Sequence, residues 1–423
     1  MNEELLQYIW LTGLFNANSL KTTDGQEVVI LKRGKLNTDS GPDFSHARVK
    51  IADTEWIGHV EIHIDSNEWN QHKHQFDKAY NNTILHVVLN YRADVKREDG
   101  SVVPCIEISN RIHAGIIQQY EILKQSELWV PCVGFLHRID HFTINQTLDR
   151  ALVQRLERKT DLIKQWLEKV NNDWHSVFYF AVARSLGFGT NSEAFEQLAR
   201  SLSLNILGKH KNNTEQIEAL LFGVAGFLDK EPLDDYQRGL RDEWEFYRIK
   251  YRLNGLQQNS FKFMRMRPGN FPTLRIAQLA ALIAGSYHLL SKVIEEEDLN
   301  KIIRFFEVQA SEYWTSHYQF GKAGKPHSAS LTSSAIQNIL INAVVPVLFV
   351  YGQSNGNEAL CQKAMNLLHQ LPSENNQMIT RWSQYGIHAR TAFDSQALIE
   401  LKKNNCDEKK CLSCKIGNKV MSL

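Results

Sequence analysis

The chain has 423 residues, 43% hydrophobic and 22% charged, with a formal net charge of +1. That length allows more than one domain with a sizeable core, and the composition is ordinary for a soluble globular protein. A charge this near zero gives no overall electrostatic case for nucleic acid, so such binding would need a local patch.

The acidic start Met1-Asn2-Glu3-Glu4-Leu5 does not read as a secretory signal. Apolar runs such as 343–350 are too short to span a bilayer. Six cysteines are too sparse for a disulfide framework. The expectation is a cytoplasmic protein without a membrane segment.

In chain order, Leu5, Leu6, Ile9, Trp10 and Leu14 recur at helical spacing and predict a helix over 4–15. Residues 28–31 read as a short strand. Residues 44–51 and 56–64 alternate and are joined by Ala52-Asp53-Thr54-Glu55, which suits a hairpin. Asp65 and Glu68 stand at capping-box spacing and predict a helix with Trp69, His72, Phe76 and Tyr80 on one face. Two β-type runs follow, 84–91 and 102–108. From about residue 142 the pattern is helical: 148–170, 174–186, 192–204, 214–228, 236–253, 274–294 and 299–306 all show 3.6-residue periodicity. The expected division is 1–128, α+β; 129–400, all-α; and a cysteine-containing segment, 401–423.

The most informative stretch is Gly41-Pro42-Asp43-Phe44 followed by Gly58-His59-Val60-Glu61-Ile62-His63. In a strand, successive side chains face opposite ways, which puts Val60, Ile62 and Ile64 on one side and His59, Glu61 and His63 on the other. A turn centred near Asp53 and Thr54 sets Asp43 roughly opposite His63, with Glu61 a diagonal step away. Asp43, Glu61 and His63 are then within reach of one divalent cation, since cross-strand neighbours lie about 5 Å apart. Two carboxylates suit Mg²⁺ or Mn²⁺, and an imidazole tilts the choice toward Mn²⁺ or Zn²⁺. His86 is expected to be half-buried among Ile84 and Val88, and His74 to face solvent.

Pro-Asp, a hairpin, then Glu-x-Lys on the second strand, in the order helix, three strands, helix, strand, resembles the PD-(D/E)XK phosphodiesterase superfamily. The likeness covers roughly the first 110 residues. It implies a restriction-endonuclease-like α-β-β-β-α-β core in which Asp43 and Glu61 bind the metal. Glu4 supplies the helix acid, and His72 lies over the site. His63 stands where lysine is expected; imidazole can also orient or deprotonate water near neutral pH. Two alternatives stand beside this reading: a non-catalytic nucleic-acid-binding or scaffold protein with a degenerate core, and a zinc-dependent hydrolase of a small substrate using His63, His72, His74 and His86. The whole chain also resembles an uncharacterised bacterial family of unknown function. The shared phrases include Trp69-x-x-His72-x-His74 and Arg267-Pro268-x-Asn270-Phe271-Pro272-x-x-Arg275.

Cys406-x4-Cys411-x2-Cys414 places three thiols within nine residues. They could chelate zinc or an iron–sulfur cluster, given a fourth ligand among His388, Cys132, Cys105 and Cys361. The layout is similar in outline to the RecB-like branch of the same superfamily, which implies a 4Fe–4S cluster held by such a trio and one upstream cysteine. Finally, residues 248–275 are basic and aromatic; Arg265, Arg267 and Arg275 are the candidate contacts to DNA or RNA.

Overall fold

The computed structural model describes residues 1–256, 260–286 and 288–423, so part of the basic stretch 248–275 lies outside the described residues. Two compact units emerge, Met1–Thr147 with Leu401–Leu423, and Leu148–Glu400. The first unit therefore runs past residue 128 and takes back the chain's end.

Helix α1 (Glu3–Thr12) begins where the Asn2 side chain accepts the Leu5 N–H at 3.1 Å and stops at Gly13, whose φ of 72° favours glycine. Leu5, Leu6, Ile9 and Trp10 are fully buried, and the Trp10 indole donates to the Arg33 carbonyl at 3.0 Å. Glu3 and Gln7, one turn apart, share a different face.

The sheet contains β1 (Val28–Lys32), β2 (Lys35–Leu36), β3 (Phe44–Ile51), β4 (Thr54–Asp65), β5 (Thr83–Asn90) and β6 (Cys105–Glu107) in the order β1-β3-β4-β5-β6, with β2 also beside β3. Pairing is antiparallel from β1 to β4 and parallel from β4 through β6. The β3–β4 turn is the pair Ala52-Asp53, since Ile51 pairs with Thr54. An irregularity between Phe44 and Ala47, with His46 at φ 57°, then moves the register so that Phe44 pairs with Val60. Without the bulge this register would set Asp43 opposite Ile62; with it Asp43 lies beside Glu61, so the turn at Ala52-Asp53 and the bulge together correct the expected pairing with His63.

Parallel neighbours cannot be joined by a tight turn, so the chain from β4 must cross over the sheet to reach β5. The crossover covers one face, which explains why β5 and the second half of β4 are buried on both sides. The single helix expected here is broken: helix α2 (Glu68–Gln71) is one turn, and short 3₁₀ turns follow at His74–Phe76 and Lys78–Tyr80. Lys73 at φ 63° interrupts the helix, and Phe76, expected on the inner face, is 75% exposed. Glu68 does reach back to the Asp65 N–H at 3.3 Å, as its spacing suggested. A last helix of this region, α3 (Ala114–Gln125), follows β6.

The second unit is helical, as the periodicity requires. Trp174–Leu186, Ser192–Ser201, Thr214–Val224 and Asp235–Tyr251 match the expected elements, and Asp173, Asn213 and Asp234 cap three of them. The expected helix 274–294 is instead Pro272–Gly285 and Leu289–Glu295. Ser333–Ser354 forms a continuous helical run of 22 residues, so the apolar stretch around 343–350 is part of a segment long and apolar enough to cross a membrane. Two thirds of that window is buried inside the protein, as in a core helix.

Candidate metal centre

Three elements converge beneath the crossover. Strand β4 supplies Glu61 and His63 on one face, and β5 supplies His86, paired in register with Glu61. The crossover supplies His72, closing α2, and His74 two residues on. The turn at Lys73 separates these rings from regular helical geometry, and both point back at β4.

Ring nitrogens of His63, His72 and His74 lie within 4.8 Å of one another. Glu61 Oε1 stands 3.5 Å from His63 Nε2 and 3.3 Å from His74 Nε2. His63 Nδ1 meets His86 Nε2 at 2.9 Å. His63 and His86 are completely enclosed, at 1% and 0% exposure, whereas His72 is open to solvent. His74 stacks on Tyr80 at 3.8 Å, and Trp69 packs edge-on to it.

The carboxylates are held by backbone. Asp43 Oδ2 accepts from Ile62 N–H at 3.0 Å and Oδ1 from the Gln7 amide at 2.8 Å. The Asp43 N–H in turn donates to Glu61 Oε2 at 3.0 Å. Asp43 is thus committed to protein partners, while Glu61 keeps Oε1 turned toward the imidazoles.

Burial pushes both carboxyls upward, with charge repulsion from Glu61 and Glu3 adding at Asp43 and from Glu3 at Glu61. Burial first, and then the neighbouring imidazoles, hold His63 far below the usual range; burial likewise lowers His86 to about 3. His74 is lowered by burial as well, opposed by Asp43, Asp77 and Glu3. Neutral imidazoles with inward lone pairs are the form that binds a cation. His74 Nε2 is moreover buried without a hydrogen bond in spite of its nearness to Glu61. A divalent ion fits this donor set: it would satisfy that nitrogen and offset the crowded acids.

Several expectations change. His74, expected in solvent, is half-buried at the centre, and His86, expected half-buried, is a fully enclosed partner of His63. Glu4 is exposed and lies 3.9 Å from Lys124. The helix acid in electrostatic reach of Asp43, Glu61, His72 and His74 is Glu3. Its signal in the sequence is Gln7, a polar residue one turn on among Leu5, Leu6, Ile9 and Trp10. Arg265 and Arg267 are exposed in the second unit, but Arg275 is 2% exposed. Its guanidinium binds Gln278 Oε1 at 2.8 Å and Asn270 Oδ1 at 2.7 Å and lies over the Phe188 ring, so it cannot meet a nucleic acid. Cys406, Cys411 and Cys414 fall in the first unit with the sheet.

Fold and site together define a mixed α+β protein with a buried histidine–carboxylate cluster under a β-crossover. The chain belongs to the family described as "Protein of unknown function (DUF2851)", whose model matches residues 3–377. No curated protein and no solved structure matches the chain.

Proposed function

We propose that this protein is a hydrolase working with a zinc-type divalent cation held by His63, His72 and His74. The observation that carries the reading is the approach of those ring nitrogens to within 4.8 Å, beside Glu61 Oε1, which faces two of the rings at 3.5 and 3.3 Å. A nitrogen-rich donor set favours Zn²⁺ or Mn²⁺ over Mg²⁺. Bound there, such a cation supplies Lewis acidity and lowers the pKa of a water to about 7. Glu61, with Oε2 anchored by the Asp43 N–H and Oε1 facing the rings, would serve as the proton acceptor for an attacking water. Asp43 is a positioning residue, and His86 fixes the ring and tautomer of His63 through its 2.9 Å contact.

A second reading, a metal-dependent phosphodiesterase acting on DNA or RNA, is favoured by Asp43 standing beside Glu61 across neighbouring strands. The order of helix, antiparallel strands, crossover and parallel strand agrees with it. In this version Asp43 and Glu61 would be the residues that hold the cation.

The test is hydrolysis of a chromogenic ester, a chromogenic phosphodiester and single- and double-stranded nucleic acid, with Zn²⁺, Mn²⁺ or Mg²⁺. The leading reading expects turnover with Zn²⁺ or Mn²⁺ that falls about 100-fold or more in Glu61→Gln, the range for losing a general base. It expects a comparable loss in His72→Ala/His74→Ala. Nucleic-acid cleavage in Mg²⁺ that needs Asp43 and ignores His72 and His74 selects the second reading. No turnover by the metal-loaded protein on any substrate overturns both.

A further inference from the structure

The terminal cysteines are not used by the site under the crossover. Cys406 closes the wound segment Leu401–Cys406, Cys411 opens the 3₁₀ turn Cys411–Ser413, and Cys414 precedes the terminal helix Lys415–Met421. The intervening loop folds back on itself, with the Lys410 N–H on the Asn405 carbonyl at 2.9 Å and the Cys414 N–H on the Cys411 carbonyl at 3.2 Å. The terminal helix packs closely on this turn: a β-carbon at Gly417 would stand 2.1 Å from the Cys411 carbonyl oxygen.

Within the same unit, the segment faces residues 124–132. Lys402 Nζ lies over the Trp129 ring at 5.0 Å, and Lys409 Nζ donates to the Lys124 carbonyl at 2.8 Å. Three residues beyond Trp129 is Cys132, only 8% exposed. Burial raises the Cys132 thiol strongly, and Cys414 and Cys411 raise it further. Cys406 is raised by burial and then by Cys132, Cys414 and Cys411. Cys411 is pushed up to about 11 by burial and Cys414, against Lys124 and Lys409. The cysteine-bearing tail thus packs on the stretch that carries Cys132, and Cys132, Cys406 and Cys411 all lie within electrostatic reach of Cys414. Among the described residues, none of the six cysteines is in a disulfide.

We propose that Cys132, Cys406, Cys411 and Cys414 form a tetrathiolate zinc site that ties residues 401–423 to the first unit. Four sulfurs with no open position are the donor set of structural, not catalytic, zinc. A divalent cation held there would take the place of thiol protons, which burial above all retains on Cys132, Cys406 and Cys411. Cys132 is the fourth ligand that the cysteine spacing alone left open; Cys105 lies on β6 and Cys361 in the helix Glu358–Gln370 of the other unit. This site stands apart from the proposed hydrolytic centre and does not depend on it.

Elemental analysis of the full chain, purified with and without air, tests the proposal together with Co²⁺ substitution. Tetrathiolate ligation gives an intense sulfur-to-cobalt charge-transfer absorption, which imidazole ligation lacks. The expected result is bound zinc, a cobalt charge-transfer band that is lost or strongly weakened in Cys132→Ser and unchanged in Cys105→Ser, and four thiols that react with a disulfide reagent only after chelation. If Cys132→Ser misfolds, the thiol count on the wild-type chain still decides. Absence of the charge-transfer band, thiols equally reactive before and after chelation, or an unaltered band in folded Cys132→Ser overturns the site. Iron with acid-labile sulfide in place of zinc overturns the zinc assignment.

Discussion

Glu218 offers a quantitative check on the second unit. It is fully buried on Thr214–Val224, where the Tyr236 hydroxyl donates to Oε2 and Ser311 Oγ donates to Oε1 at 3.1 Å. Burial raises its carboxyl from the ordinary 4.5 to about 7, with Glu215 adding and the two hydroxyls opposing. Because the folded value is the higher one, the associated stability is full below pH 4.5 and is lost as pH rises toward 7. The gap between 4.5 and about 7, at 1.36 kcal/mol per pH unit, makes that loss about 3 kcal/mol. Glu218→Gln keeps the size and an oxygen acceptor and cannot ionise, so its stability should not carry this decline. Other titrating groups are common to both proteins and cancel in the difference. The assay is urea unfolding at half-unit steps from pH 4.5 to 7.5, comparing wild type with the variant. Parallel profiles, with a constant difference across the window, would refute the reasoning.

Other outcomes follow from particular contacts. Gly58→Ala puts a β-carbon 2.5 Å from both the Asn82 carbonyl oxygen and Ile84 Cγ2, wedging β4 from β5. It should cost about 1–3 kcal/mol, typical of overpacking, seen as a lower thermal midpoint. Arg275→Ala strips partners from Gln278 and Asn270 and opens space over Phe188. It should destabilise by about 2–4 kcal/mol through unpaired buried groups and a cavity, while leaving the salt dependence of any nucleic-acid binding unchanged. A change in salt slope without loss of stability would contradict its burial. Glu4→Ala should leave cation affinity under the crossover as in wild type, measured by equilibrium dialysis, because Glu4 lies toward Lys124.

Helices were the most legible part of the chain, because a 3.6-residue apolar stripe needs only local information. Thr214–Val224 and Asp235–Tyr251 also carried Asn and Asp caps in plain view. The strands were legible by alternation, but register was not. The turn, one step from where it was expected, and the bulge at His46 each move the register by one residue and together exchange His63 for Glu61 as the neighbour of Asp43, and nothing local announces a left-handed histidine. The crossover misled because His72 and Phe76 fit one helical face. His72 and His74, two residues apart, cannot share such a face, so an inward role for both required a break at Lys73. Glu3 and Glu4 differ by one step of helical phase, and Gln7, one turn on from Glu3, marks the face turned toward Asp43. Cys132 stood among four candidate partners of the terminal cysteines, and spacing could not choose it, because only tertiary folding brings it near residues more than 270 positions away.

The most direct test of the hydrolytic account is cobalt titration of the full chain, observing the ligand-field bands of nitrogen- and oxygen-bound ions in the visible range. The account predicts an imidazole-ligated cobalt that persists in Cys132→Ser and disappears in His72→Ala/His74→Ala. No such ion in the wild type, or bands indifferent to loss of both crossover histidines, would contradict it.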